Sequence, residues 1–469
     1  MANKRKIYQK SGVRMGLLIS FLCIGLSLIL LLLICGNMLL TNLTPAESSM
    51  PSTAHSVASE PSTTVNSQPT TAPLATEPPV RKISTATIGS TGDILLHNKV
   101  IRSGYDKATG TYNYESIFSY FSEFVSKVDY AVGNLEVTLC GDDNGYPYKG
   151  YPCFNAPDAI VDAVKAAGFD MLLTANNHSY DTGTKGFLRT QEVIMERELD
   201  YTGTRYKEED KNYIVKEING IKIGMICYTY NTDVNSDGTV SLNGIPLAAT
   251  PSGLVNSFNY GALDSFYLKL SGEMEQMKAE GAEAIMVYLH WGAEYETKAN
   301  RTQKKMAQAL CDLGVDVIVG NHAHVPQPIE LLTNTKDETK KTLCLYSMGN
   351  SISNIRGSKY PKETEDGMLF SVTFAKYSDG TVVLESADVL PTWVNRYEEN
   401  NVSKYKILTM DRTEKDNWQE KMGLTDELLS ACQASYDRTM TIVGDGLETA
   451  NQYYAKHQQE VEALIGATE

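Results

Sequence analysis

An α/β layered fold is predicted for the body of this chain, on two observations. From residue 84 onward, short β-branched apolar runs recur, each breaking at a small residue followed by a metal-capable side chain. Between several of them lie stretches with apolar residues at three- and four-residue spacing that end in Gly, such as APDAIVDAVKAAG and RTQKKMAQALCDLG, the pattern of amphipathic helices with a stop signal. Strands alternating with helices form sheets covered by helices, and ligands of such folds collect beyond the carboxyl ends of the strands.

The chain's 469 residues, 42% hydrophobic and 21% charged, predict more than one structural unit and a sizeable core. Residues 1–14 hold Lys4, Arg5, Lys6, Lys10 and Arg14 and no acid, leaving 37 basic against 57 acidic residues after position 40. So acidic a body repels phosphate backbones, and nucleic acid is not expected as a partner.

In chain order, the basic residues 1–14 read as a cytoplasmic tail. The uncharged stretch 15–40 follows; as a helix it would reach about 39 Å, enough to cross a bilayer with some tilt. It lacks the small-residue pattern of a cleavage site, so it reads as an uncleaved single-pass signal-anchor that leaves the rest of the chain extracellular. Residues 41–80 contain 22 Ser, Thr or Pro, no Lys or Arg and no aromatic, which predicts a disordered stalk. The folded domain is expected at 81–399, and a helical C-terminal extension at 400–469.

Within the domain, ISTATIGSTGD ends in Gly92-Asp93, VDYAVGNLE in Gly133-Asn134-Leu135-Glu136, and FDMLLTANNH in Asn176-Asn177-His178. AIMVYLHWG contains His290, VDVIVGNHAH ends in His322-Ala323-His324, and LCLYSMGN ends in Gly349-Asn350. A hairpin is expected after Gly367. Five of the seven histidines (His97, His178, His290, His322 and His324) fall in these segments, alongside Asp93, Glu136 and Asn177. If residues 322–324 are extended, the two imidazoles point to one side about 6–7 Å apart and can both reach a two-ion site. Imidazole with carboxylate suits zinc, iron or manganese rather than calcium. Glu136 is the candidate bridging carboxylate. His178 is the candidate for protonating a leaving group, and Asp181 could orient it.

GDILLH, GNLE, TANNHSYD, LHWGAEY, GNHAHVPQP and YSMGN, in that order, resemble the CapA proteins of bacterial poly-γ-glutamate capsule synthesis, a family related to the calcineurin-like metallophosphoesterases. The resemblance implies a four-layer α/β/β/α sandwich and a centre of two divalent metal ions. It implies Asp93, Glu136, Asn177, His290, His322 and His324 as ligands, and His178 as acid or transition-state stabiliser. The wider phosphoesterase pattern begins Asp-x-His, whereas His97 comes four residues after Asp93, so a supporting or substrate contact is expected of it. Glu136 stands where that pattern has Asp. Asn134, Asp181 and Asn350 are expected as supporting or substrate-contacting residues around the same centre.

Cys140 and Cys153 bracket a polar loop, a spacing that suits a disulfide outside the cell. Arg356, just beyond Asn350, could meet an anionic substrate at the mouth or be a solvated loop residue. Trp291 could cover a polymer or pack the strand end, and 231–261 reads as a long surface loop and possible lid. TYNYESIFSYF (111–121) has helix-compatible spacing and reads as core. Three functions compete: a metal-dependent hydrolase acting on an anionic capsular or wall polymer, a non-catalytic polymer-binding component of a synthesis and export complex, and a surface phosphoesterase or nucleotidase.

Overall fold

The structure is a computed structural model that describes residues 80–466 other than residue 144, with side chains up to residue 459. The cytoplasmic tail, signal-anchor and stalk expected at 1–80 lie outside the described residues, apart from Val80. Among the described residues no helix is long and apolar enough to cross a membrane.

In chain order the main strands are β1 (Lys82–Ile94), β2 (Tyr130–Leu135), β3 (Met171–Leu173), β4 (Asp200–Thr202), β5 (Ile214–Ile218), β6 (Ile221–Tyr230), β7 (Ser257–Phe258), β8 (Ala284–His290), β9 (Val317–Asn321), β10 (Ile329–Thr333), β11 (Lys341–Leu345), β12 (Asn350–Ile352), β13 (Asp366–Tyr377), β14 (Val382–Glu399) and β15 (Val402–Thr409). The main helices are α1 (Asn98–Ser103), α2 (Ala159–Ala166), α3 (Gly183–Glu196), α4 (Leu263–Ala279), α5 (Arg301–Leu313) and α6 (Asp426–Gly466).

One sheet has the order β15-β14-β13-β1-β2-β3-β4, with β12 also beside β1; the other runs β7-β6-β8-β9-β11-β10, with β5 beside β6. β1 through β4 are mutually parallel, as are β6, β8, β9 and β11. The two sheets lie face to face, and their strands show why. In β8, Ala284, Met286 and Tyr288 enter the core between the sheets, while Ile285, Val287 and Leu289 face an outer core. Such a continuous apolar run is what a parallel strand covered on both faces requires. Between the sheets, the hydroxyls of Ser90 on β1 and Tyr288 on β8 are 3.1 Å apart and buried.

Helices cover both outer faces. Ile160, Val161 and Val164 of α2 join the core on the β1–β2 side, and Phe266, Leu270 and Met274 of α4 with Met306 and Leu310 of α5 join that on the β8–β9 side. A capping box of Asn300 and Gln303 starts α5, and Gly314 ends it at φ 88°, the stop that the sequence predicts. The layers are therefore helix, sheet, sheet, helix.

The boundary expected at residue 399 falls in the turn joining β14 to β15. Residues 402–409 form the edge strand of the first sheet, paired along β14, and the helical part begins only after them. Tyr405 and Ile407 enter the core on the β1–β2 side, and Leu408 on the opposite face joins a smaller core with Trp393, Met410 and Trp418, so this lysine-bearing segment is held from both faces. In α6, Val443, Leu447, Ala450 and Tyr454 enter the core between the sheets. The helix packs on both β14 and β10, closing one side of the sandwich. Arg438 donates from Nε and Nη2 to Asp366 at 2.7 Å each, and Ser435 donates to the same carboxylate at 2.6 Å. A Cβ at Gly446 would sit 1.9 Å from the Ile329 carbonyl oxygen, so only glycine lets α6 approach β10 this closely.

Residues 111–121 supply buried Tyr114, Ile117, Phe118 and Phe121 as expected, but only Glu115–Phe118 is helical, as one 3-10 turn.

Candidate metal centre

The carboxyl ends of β1, β2, β3, β8 and β9 meet at one edge of the sandwich. Asp93 lies in register with Asn134 on one side and Asn350 on the other. A Cβ at residue 92 would lie 1.9 Å from the Gly349 oxygen, so glycine there lets β12 come against β1. Asn134 Nδ2 donates to Asp93 Oδ1 at 2.7 Å. His324 Nδ1 sits 2.9 Å from Asp93 Oδ2 and 3.1 Å from Asn350 Oδ1. The Asn350 NH2 in turn donates to the carbonyls of His324 and Thr364 at 3.0 and 2.9 Å.

On the other side, His290 Nε2 is 2.6 Å from Asn177 Oδ1, 3.1 Å from His322 Nδ1 and 3.4 Å from Glu136 Oε1. Glu136 Oε1 is also 3.9 Å from His324 Nε2. Two groups able to hold a cation result, Glu136-His290-His322 and Asp93-Glu136-His324, with ligand atoms in each within 4.8 Å of one another. Glu136 belongs to both. All six residues read from the motifs therefore come together, contributed by both sheets.

His322 and His324 are not extended. Their φ values are 88° and 57°, left-handed conformations uncommon for residues with a side chain, and the ring centroids still lie 6.2 Å apart. The expected spacing arises from a tight turn after β9 rather than from a strand. Strain of this kind persists where the surroundings over-determine it.

Glu136 decides what the cluster can do. Its side chain is fully buried, and neither carboxylate oxygen has a hydrogen-bond partner. Burial, with Asp93 and Glu294 nearby, pushes its pKa well above the usual carboxylate range. Burial also disfavours ionised Asp93, but the hydrogen bond and charge of His324, the charge of His290 and the hydrogen bond from Asn134 outweigh it and hold this carboxyl low. His324 is raised despite its burial by Asp93. Burial takes His290 down to about 3 and His322 well below its usual value, keeping both neutral. Neutral imidazoles and an orphaned carboxylate are a donor set for a divalent cation, which would supply the charge that Glu136 lacks.

His178 sits beside this cluster. Its Nδ1 gives a hydrogen bond to Asp181 Oδ2 at 2.7 Å, and Phe154 meets the ring edge-on with centroids 4.7 Å apart. Asn176 fixes the turn, donating to the Leu135 carbonyl at 2.8 Å and accepting from the His178 amide at 3.1 Å. Asp181 thus orients the imidazole.

His97 is in neither ligand group: its Nδ1 accepts from the Asn354 amide at 3.2 Å and its ring packs at 5.3 Å on Phe154, the ring that also meets His178. Two expectations fail. Arg356 is neither solvated nor at a mouth. Its side chain is 13% exposed and is held by the Val394 carbonyl at 2.9 Å and Glu365 at 3.9 Å. Cys140 and Cys153 are thiols. Cys140 is buried beside Thr182 and the backbone of α3, and the loop is pinned by Asn155 instead. The Asn155 NH2 donates to the carbonyls of Gly141 and Tyr146 at 3.1 and 2.7 Å, and its oxygen accepts from the Cys140 amide at 2.8 Å. Trp291 packs, fully buried, with its indole NH on the Tyr346 carbonyl at 3.0 Å.

The motifs left several neighbours unassigned. Tyr230 meets His322 with centroids 5.0 Å apart, and Tyr295 lies 6.1 Å from the His324 ring. Asn243, in the expected lid, accepts from Asn177 Nδ2 at 3.1 Å. The Asn243-Gly244 pair signals a turn, but nothing local says where its tip lands.

A family model described as bacterial capsule synthesis protein PGA_cap matches residues 87–355. The chain belongs to this family. The PGA_cap match spans every residue of the cluster. Relatives of this PGA_cap protein include the capsule biosynthesis protein CapA of Bacillus anthracis, 28% identical over 71% of this chain and 75% of that one. The PGA biosynthesis protein CapA of Bacillus subtilis (strain 168) is 26% identical over 64% of this chain and 70% of that one. Among solved structures, a Staphylococcus aureus protein described as a 5'-nucleotidase matches at 14% identity and a TM-score of 0.37, over 66% of this chain. The PGA_cap chain spans 54% of that protein's length.

Proposed function

We propose that this protein is a membrane-anchored, extracellular component of capsular-polymer synthesis or export whose strand-end cluster is a two-metal, hydrolase-like centre acting on an anionic polymer, poly-γ-glutamate in the first instance. Glu136 carries the reading: a buried carboxylate with two unpartnered oxygens, common to two groups of possible ligands, has the position of a bridging ligand. Asp93 and His324 would complete one metal position, and Asn177, His290 and His322 the other. The family supports the capsule role, and the name of the Bacillus subtilis relative supports the polymer. The apolar stretch 15–40 behind a basic flank supports the anchor.

Bound manganese, zinc or iron would polarise the scissile group and lower the pKa of a water nucleophile. Asn134 and Asn350 hold Asp93 and His324 in place. His178, turned by Asp181, is positioned to give a proton to the leaving group, which is worth about 10²–10⁴-fold. This oriented acid favours catalysis over passive polymer binding.

The test is to purify the full-length chain, quantify bound metal and assay phosphoesters and γ-linked glutamyl chains. Bound divalent metal with cleavage of either substrate supports the reading. A protein that takes up no divalent ion sinks it, and metal without turnover favours a binding component.

A further inference from the structure

The segment between β6 and β7 folds as a small three-stranded sheet, Asp233–Val234, Val240–Leu242 and Ile245–Pro246. Its last two strands are joined through Asn243 and Gly244, at φ 48° and 71°, the left-handed pair that an Asn-Gly hairpin turn adopts. Leu242, Leu247, Leu254 and Val255 anchor this piece to Tyr180 and Phe187, beside the turn that carries His178. The tip is thereby delivered to the centre. Asn243 Oδ1 accepts from Asn177 Nδ2 at 3.1 Å, and Asn243 Nδ2 lies 3.3 Å from His178 Nδ1.

A carboxamide has one acceptor end and one donor end, and which end faces a cation is set by what the other end binds. Asn177 turns its oxygen to His290 Nε2 at 2.6 Å and its NH2 to Asn243. The reversed amide would point two hydrogens at the metal position and could not ligate. We propose that Asn243 is a positioning residue of the centre, holding the Asn177 amide with its oxygen inward and so setting metal affinity from the tip of the lid. This rests on the two-metal reading above. Outer hydrogen-bond partners of metal ligands act in this way and are commonly worth 10–100-fold in affinity.

Two variants separate the acceptor from the turn. Asn243→Gly keeps the left-handed turn and removes the acceptor, whereas Asn243→Asp offers Asn177 an acceptor at either oxygen. Mn²⁺ is titrated into the metal-free full-length parent and both variants, with thermal unfolding in chelator as the fold control. The expected result is an affinity loss of about 10–100-fold in Asn243→Gly, with Asn243→Asp within about threefold of the parent. Parental affinity in Asn243→Gly, or equal losses in the two variants, overturns the inference while leaving the metal reading intact. A parent that binds no Mn²⁺ overturns both.

Discussion

His178 Nδ1 lies 2.7 Å from Asp181 Oδ2, three residues further along the same turn, and the Asp181 side chain is 1% exposed. The carboxylate belongs to neither group of candidate ligands, so orientation and coordination are separable. His178→Ala should keep its metal and lower turnover by about 10²–10⁴-fold. Asp181→Asn should also keep metal and lose turnover through a misdirected ring. Metal analysis beside the rate assay checks both; metal lost from His178→Ala would make that residue a ligand.

Glu136→Gln should change sign with conditions. In chelator, the variant should be more stable than the parent, because a buried carboxylate without donors is replaced by a neutral amide. With free metal at a hundred times Kd the parent should gain about 2.7 kcal/mol, and the variant should gain almost nothing. Unfolding curves with EDTA and with Mn²⁺ measure this. A variant less stable than the parent in EDTA would mean that the carboxylate has donors of its own.

His97 predicts a pH dependence. Its Nδ1 accepts from the Asn354 amide, which requires the unprotonated ring, and burial, with His324 and His178 nearby, takes its pKa from 6.5 to about 4. Below pH 6.5 the unfolded chain takes up a proton that the folded one refuses until about pH 4. Stability from this group is therefore complete above 6.5 and falls through that window by at most about 3 kcal/mol. His97→Asn, which keeps an acceptor, should flatten this part of the denaturation profile; parallel profiles for the two proteins would rule the coupling out.

The strand-end residues were legible because each follows an apolar run, and a parallel sheet carries such ends to one edge. Asn243 was not, since hairpin chemistry fixes a turn but not the surface on which the turn lands. Arg356 was misplaced because its partners come from residues 365 and 394, beyond any local pattern. The strand at 402–409 was hidden by its lysines: Lys404 and Lys406 alternate with buried Tyr405 and Ile407, and the composition reads as polar. The spacing of Cys140 and Cys153 suits a disulfide, but the loop is held by the Asn155 carboxamide, whose reach to Gly141 and Tyr146 no spacing rule reveals.

That loop gives a further expectation. Asn155→Ala should cost about 2 kcal/mol or more, since it strips one backbone amide and two carbonyls of their partner. Cys153→Ser should stay within about 0.5 kcal/mol. Denaturant unfolding under oxidising conditions checks the pair, and a large loss from Cys153→Ser would point to a disulfide after all.

The helix α6 should be integral to the domain. Arg438→Ala leaves the fully buried Asp366 without its cation, a change expected to cost about 3–5 kcal/mol. Equilibrium unfolding that shows less than about 1 kcal/mol would mean that the helix is an appendage.

The central strand of the first sheet imposes an order of events on synthesis. β1 has β2 on one side, made within fifty residues, but its partner along residues 82–91 on the other side is β13, which ends at Tyr377. At about 5–20 residues per second the ribosome needs roughly 15–60 s to supply it. Until then β1 lacks its partner along residues 82–91, and Asp93 lacks a histidine 231 positions further along the chain. Neither ligand group is complete before residue 322 has been made, so the centre is assembled only once most of the sandwich exists.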